Sequence, residues 1–186
     1  TALDALNLDS VSVSPTELVA FWLNIRNLSV IIALLQLCTQ SLPCKLPNTF
    51  EEWVSCLSHT SLFVHGQALG PADIDHHVLG VGCLSLLPPP PRRSLLLTME
   101  TRTATTVKRF LPWPVFGLWL PIEFGSPKLY IFKAETVLEQ LRSSAEDFLD
   151  SCKSVGEVKL EVPPTLRSTA AIWQPLLKSR GSFSVA

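Results

Sequence analysis

The chain has 186 residues, a formal net charge of −1, and 47% hydrophobic against only 17% charged residues; a typical soluble domain carries roughly 25% charged residues. High apolar content with almost no net charge excludes disorder for most of the chain, and no basic excess is present to meet the phosphates of a nucleic acid. The length suits one domain, able to bury about 70% of its unfolded surface and so to fold without a disulfide or a metal.

Ser14-Pro15-Thr16-Glu17 reads as a helix start. Ser14 can cap, Pro15 suits the first helical position, and Glu17, three residues after the cap, completes a capping box. The helix is predicted to run to about Gln40, with Phe21, Trp22, Ile25, Leu28, Ile32 and Leu35 at helical spacing forming a wide apolar face. Pro43 and Pro47 end it. Asn48-Thr49-Phe50-Glu51-Glu52-Trp53 opens a second, short helix with a polar cap and an acidic first turn. Positions 61–64 and 67–69 read as two short strands around a His65-Gly66 turn. Gly70-Pro71-Ala72-Asp73 starts a third helix, predicted to about Leu79.

Positions 80–93 break regular structure, and the Pro88–Pro91 run predicts an exposed loop, with docking to a proline-binding module as the lesser reading. Residues 115–120 and 128–132 are strand candidates. Ala134 to Cys152 is predicted as a helix with Val137, Leu141, Ala145 and Phe148 on one face. Val158, Leu160 and Val162 alternate with charged residues, as a half-buried strand does. A last helix follows Pro163-Pro164. There is no internal repeat, and helices mixed with hairpins point to an α+β domain with a long buried N-terminal helix and a small, mainly antiparallel sheet.

The most apolar stretch, Leu18 to Cys38, approaches the roughly 20 residues of a membrane helix. Asn24, Arg26, Asn27 and Gln36 interrupt it, so burial in a globular core is expected and no membrane span. No signal-peptide pattern is seen, and because the chain begins at Thr1 a targeting segment can lie outside it. Cys38, Cys44, Cys56, Cys83 and Cys152 are odd in number and form no C-x-x-C pair. Free, mostly buried thiols in a reducing, intracellular and cytoplasmic setting are expected. Asn27-Leu28-Ser29 fits the glycosylation pattern but falls inside the predicted buried helix, where a glycan cannot attach.

Three segments, in order, resemble the domain of unknown function 547 family. The first is Ala20-Phe21-Trp22-Leu23-Asn24-Ile25-Arg26-Asn27, where the family carries an aromatic pair, Asn, a hydrophobic residue, Tyr and Asn on a long helix. Phe21, Trp22, Asn24 and Asn27 match, and Arg26 stands where Tyr is usual. The second is Ile74-Asp75-His76-His77-Val78-Leu79. The family has Ile-Glu-His and then Ile-Leu, so Ile74, His76 and Leu79 match and Asp75 replaces Glu. The third runs from Phe116-Gly117-Leu118 to Gly125-Ser126-Pro127, where the family usually has a strand, Cys-Gly and Ser-Cys-Pro. The resemblance covers residues 14–150. Residues 1–13 read as an N-terminal extension, and 151–186 as a strand-plus-helix extension of the same domain.

The resemblance implies a papain- or transglutaminase-like scaffold, in which a Cys at a helix start is activated by a His because a thiolate is the nucleophile. Here Ser126 aligns with that Cys, and the earlier Cys-Gly position falls near Leu120-Pro121. The expected function is therefore a non-catalytic protein-interaction or scaffold module, with other chains or other domains of a larger protein as partners. The alternative is a hydrolase or acyl transferase using Ser126, or a cysteine, with His76 as base. Asp73, three residues before His76, is better placed to orient it than the adjacent Asp75, although Asp73 also suits a helix cap.

No cofactor is expected. His59, His65, His76 and His77, with Asp73 and Asp75, are candidate zinc ligands, but neighbours on a helix diverge and the usual i, i+4 pair is missing, so no metal is expected. Asn24 and Asn27 share a helix face and predict amides that clamp the backbone of a neighbouring loop, or alternatively line the family's cleft. Arg26 lies on another face, placed for a salt bridge or a partner contact. The low charge further predicts an exposed apolar patch.

Overall fold

The computed structural model describes residues 13–40, 46–64, 66–81, 87, 89–90, 110, 113–119 and 128–153, with side chains as far as Phe148. The predicted strand and helix after position 153, most of the breaker region, and Gly125, Ser126 and Pro127 lie outside them.

Helix α1 spans Pro15–Gln40. Its start is the predicted capping box: the Ser14 amide donates to Glu17 Oε2 at 2.6 Å, and the Glu17 amide to Ser14 Oγ at 3.2 Å. Hydrogen bonding to the carboxylate from the Ser14 side chain, and then from its amide, holds Glu17 below the usual carboxylate pKa. Helix α2, Phe50–Ser58, repeats the device with Thr49 and Glu52. Two strands follow, β1 (Leu62–Val64) and β2 (Gln67–Leu69), paired antiparallel with Val64 opposite Gln67. That register leaves a two-residue turn in which Gly66, at φ 71°, takes the left-handed conformation that favours glycine.

The third predicted helix is present over nearly its predicted span, but most of it is not α-helical. A single turn, α3 (Pro71–Asp73), passes into a π-helical turn over Ile74–Val78, where the Leu79 amide reaches the Ile74 carbonyl at 2.8 Å and the Val81 amide the Asp75 carbonyl at 2.9 Å. Asp73 binds the Gly70 amide through Oδ2 at 2.8 Å and so holds the start of the turn. π-turns are rare and recur at functional sites.

Two expected strands are not strands. Trp113–Gly117 forms a 3-10 turn, consistent with Pro114, which has no amide to give to a ladder. Positions 128–133 carry no regular structure and join no sheet among the described residues; their backbone is held by side-chain amides, as described below. Helix α4, Val137–Lys153, starts three residues later than predicted. Val137, Leu141 and Ala145 are buried along one of its faces. Among the described residues the chain is a mixed helical domain with one two-stranded antiparallel sheet, an α+β architecture.

The main core gathers α1 (Val19, Trp22, Leu23), the π-turn (Ile74, Val78), Leu118, Phe132 and α4 (Val137, Leu141). A smaller cluster joins Val30 and Ala33 of α1 to Trp53 and Leu57 of α2 and to Leu87. Gly117 sits where three elements converge: a Cβ there would lie 2.9 Å from Leu23 and Leu141 methyls and 3.0 Å from the Phe132 ring.

Helix α1 is long and apolar enough to cross a membrane by length and composition, and 61% of its most apolar window is buried against the rest of the chain. Its predicted apolar face divides. Trp22 and Ile25 are buried, whereas Leu28 is 38% and Leu35 60% exposed. The helix is apolar around nearly its whole circumference, and the core can contact only one side of it.

Candidate functional site

The first family-like motif is a polar knot on the inward side of α1. Asn27 Nδ2 donates to the Gly117 carbonyl at 2.9 Å, and Asn27 Oδ1 accepts from the Trp119 amide at 3.0 Å. One turn earlier, Asn24 does the same to a single residue: Nδ2 donates to the Phe132 carbonyl and Oδ1 accepts from the Phe132 amide, both at 2.8 Å. A carboxamide presents a donor and an acceptor side by side, as a peptide unit does, so each Asn replaces a strand partner for a stretch of chain that has none. The predicted backbone clamp is what the geometry contains. It also explains why the sequon at Asn27 is unusable: the residue is buried and both ends of its amide are engaged.

The other edge of the 128–133 segment is held in the same manner by a residue that no motif singled out. Gln140 Nε2 donates to the Ile131 carbonyl and its Oε1 accepts from the Lys133 amide, each at 2.8 Å. Its signal in the sequence is slight, a Gln four residues after Thr136, whose hydroxyl also donates to it. Further along, Tyr130 donates its hydroxyl to Asp147 at 2.5 Å and Lys128 its ammonium at 3.1 Å. Desolvation, then the bond to Asp147, raises the Tyr130 pKa; the bond to Asp147 also raises that of Lys128.

Arg26, between the two Asn residues, is 1% exposed and meets Asp75, which is fully buried. Its Nε donates to Oδ1 at 3.1 Å and Nη2 to Oδ2 at 3.4 Å, while Nη1 donates to the Trp119 carbonyl at 2.5 Å. A planar guanidinium suits this forked contact, which an ammonium could not reproduce. Arg26 and Asp75, the replacements noted in the first and second motifs, are thus each other's partners, and they tie α1, the π-turn and Trp119 together.

His76 is half-buried and its Nε2 lies 2.9 Å from the Leu87 carbonyl. A carbonyl accepts only, so that nitrogen carries the proton and Nδ1 is the basic one. Asp73 is placed on the Gly70 amide by one oxygen, and its other oxygen, Oδ1, is buried without a hydrogen-bond partner. No hydrogen bond joins Asp73 to His76 among the described residues. Ser126, the proposed nucleophile of the alternative reading, lies outside them. No three of the described His, Cys, Asp and Glu residues converge as a metal site.

The cysteines need one correction. Cys38 is disulfide-bonded, not a free thiol; an odd count forbids complete pairing but not a single bridge. Cys56 is free. It lines an open groove of about 620 Å³ between the C-terminal half of α1, Leu46-Pro47 and α2, together with His59 and Thr60. Burial pushes its thiol pKa up, which makes it a poor nucleophile. His59 Nδ1 is engaged by the Ser55 carbonyl at 2.6 Å.

A long helix bearing the aromatic-Asn motif, followed by a hairpin and a turn bearing Ile-Asp-His, defines the class of domain. The family described as "Protein of unknown function, DUF547" matches residues 11–149, and the chain belongs to it. Comparisons with curated proteins and with solved structures gave no match.

Proposed function

We propose that this chain is a non-catalytic protein-interaction or scaffold module, a degenerate relative of papain- and transglutaminase-like cysteine enzymes. One observation carries the reading. Asn24, Arg26, Asn27, Asp75 and His76, the polar residues of the two family motifs, are engaged in holding backbone or one another. A catalytic constellation instead points its polar groups at a space where a reacting atom can sit. Ser126 stands where the family has Cys, and a serine there would need a strong base and an oxyanion hole.

The test is labelling of the purified chain with a fluorophosphonate and with a thiol-directed acyl probe, beside Ser126→Ala and His76→Ala. The expected result is no labelling that depends on either residue. Stoichiometric labelling lost in both variants would overturn the reading in favour of a Ser126–His76 acyl transferase.

Partners in this proposal are other chains or other domains of a larger protein. The intracellular, cytoplasmic setting is a proposal with its own check at Cys38, because disulfides persist in oxidising compartments and are rare in the cytosol. Alkylation in intact cells followed by mass mapping decides it: an alkylated Cys38 supports the cytoplasm, and a protected one overturns it.

A further inference from the structure

We propose that the prolines at 88–91, with Arg92 and Arg93 after them, are a docking ligand for an SH3-type domain of another protein, a groove lined by aromatic rings and flanked by carboxylates. The inference goes beyond the non-catalytic reading, because the run includes neither Ser126 nor any residue of the α1 clamps.

The backbone selects the mode of recognition. Each proline fixes φ near about −65° and has no amide proton to give, and a residue before proline is driven out of the helical region. Four prolines in succession therefore exclude two common modes: an amphipathic helix laid in a partner's groove, and a strand added to a partner's sheet through main-chain donors. The sequence leaves polyproline II, which is read through its rings by aromatic-lined grooves. At about three residues per turn and about 3.1 Å per residue, Pro88 and Pro91 fall on one edge, roughly 9 Å apart. That is the two-proline spacing such grooves take.

Charge selects among these grooves. Between Asp75 and Glu100 the charged side chains are Arg92 and Arg93 alone, in a chain whose net charge is −1. Arg93 stands two residues beyond Pro91. A guanidinium forks onto a carboxylate, so the groove that fits has acidic side chains just past the slot that takes Pro91. A neutral proline reader would leave both guanidinium groups without a counter-ion.

The fold supplies the presentation. Leu87 is 5% exposed and packs with Val30, Trp53 and Leu57. Its carbonyl accepts from His76 Nε2 at 2.9 Å. The chain is thus pinned at the residue before the first proline, while Pro89, two residues on, is exposed and Pro90 half-buried. A ligand whose backbone is restricted and whose one end is fixed loses little freedom on binding.

The experiment passes the full chain over a panel of purified SH3 and WW domains. The expected result is saturable binding to SH3 domains with acidic residues beside the groove. Pro88→Ala/Pro91→Ala and Arg92→Glu/Arg93→Glu should each weaken it roughly tenfold or more, with thermal unfolding unchanged, and a synthetic peptide of positions 86–95 should compete. If the proline variant fails to fold, the arginine variant and the peptide carry the test. Binding to no domain, or binding that the arginine variant and the peptide leave unchanged, would overturn the proposal. Capture by WW domains that tolerates the charge reversal also overturns it, in favour of a neutral proline reader.

Flotation with phosphatidylserine vesicles runs beside it. Flotation lost on charge reversal but kept in the proline variant would assign the arginines to an anionic membrane and overturn the SH3-type partner. None of these readouts depends on the fluorophosphonate result, so failure of the docking ligand leaves the non-catalytic reading standing, and the converse also holds.

Discussion

The two sides of α1 are built from the same apolar residue types, yet they behave as different surfaces. The inner side carries Asn24, Arg26 and Asn27 among Trp22, Leu23 and Val30, and each of those three polar side chains has a fixed partner. The outer side carries Leu28 and Leu35, both exposed, and the half-buried Ile32. The difference teaches that in this helix apolar residues do not tell the two sides apart, whereas Arg26 and Asn27 mark the buried one. Buried polar groups cost free energy unless paired, so a helix that buries Arg26 and Asn27 must have fixed geometry around it. Exposed leucines cost little singly but in a line mark a surface to be covered.

The comparison breaks most sharply at Arg26. Arg26→Ala leaves Asp75 buried without its counter-ion, and removal of one member of a buried pair costs about 3–5 kcal/mol. Chemical denaturation should show that loss, and the Arg26→Met/Asp75→Leu double variant should recover most of it, since apolar replacement of both partners is often neutral or better. A small effect of Arg26→Ala would mean that the knot is not what fixes the inner side.

Next comes Asn27→Ala, which strands a buried carbonyl and amide at Gly117 and Trp119. The expected loss is about 1–3 kcal/mol, with faster amide exchange at Trp119 as the local signature. Asn24→Ala should act likewise at Phe132, and somewhat less because the site is half-buried.

On the outer side the expectation reverses. Leu35→Gln should change stability by no more than about 0.5 kcal/mol and raise solubility. A loss above about 2 kcal/mol would show that Leu35 is part of the core.

The smallest effect is in pH. Tyr130 and Cys56 both have folded pKa values raised above 10.0 and 9.0. Their stabilising contribution is complete below those values and fades as pH rises through the folded ones, because the unfolded chain loses the protons first. Melting temperature should therefore fall from about pH 9 upwards, and Tyr130→Phe should flatten the upper part of that decline.

Much of the local structure was legible because its causes are local. Ser14-Pro15-x-Glu17 and Thr49-x-x-Glu52 carry their caps within four residues, and the hairpin follows from Gly66. What was not legible depended on distant partners. Residues 128–132 look like a strand, but the groups that satisfy their backbone are Asn24 and Gln140, and nothing in the segment announces them. Asp75 reads as a conservative replacement of Glu, and only the fold sets Arg26 against it. Leu28 and Leu35 fitted the buried face, because periodicity gives the direction of a stripe but not which side the rest of the chain covers.

By itself the sequence determined the family-like motifs in order, the capped helices, the hairpin, and the need for Asn24 and Asn27 to find buried partners. Only the tertiary structure decided which backbone those amides hold, that Arg26 neutralises Asp75, and which side of α1 stays uncovered. Capping and turn chemistry act over three or four residues. An amide clamp or a buried ion pair spans 49 to 108 positions, a distance over which only the folded chain brings its partners together.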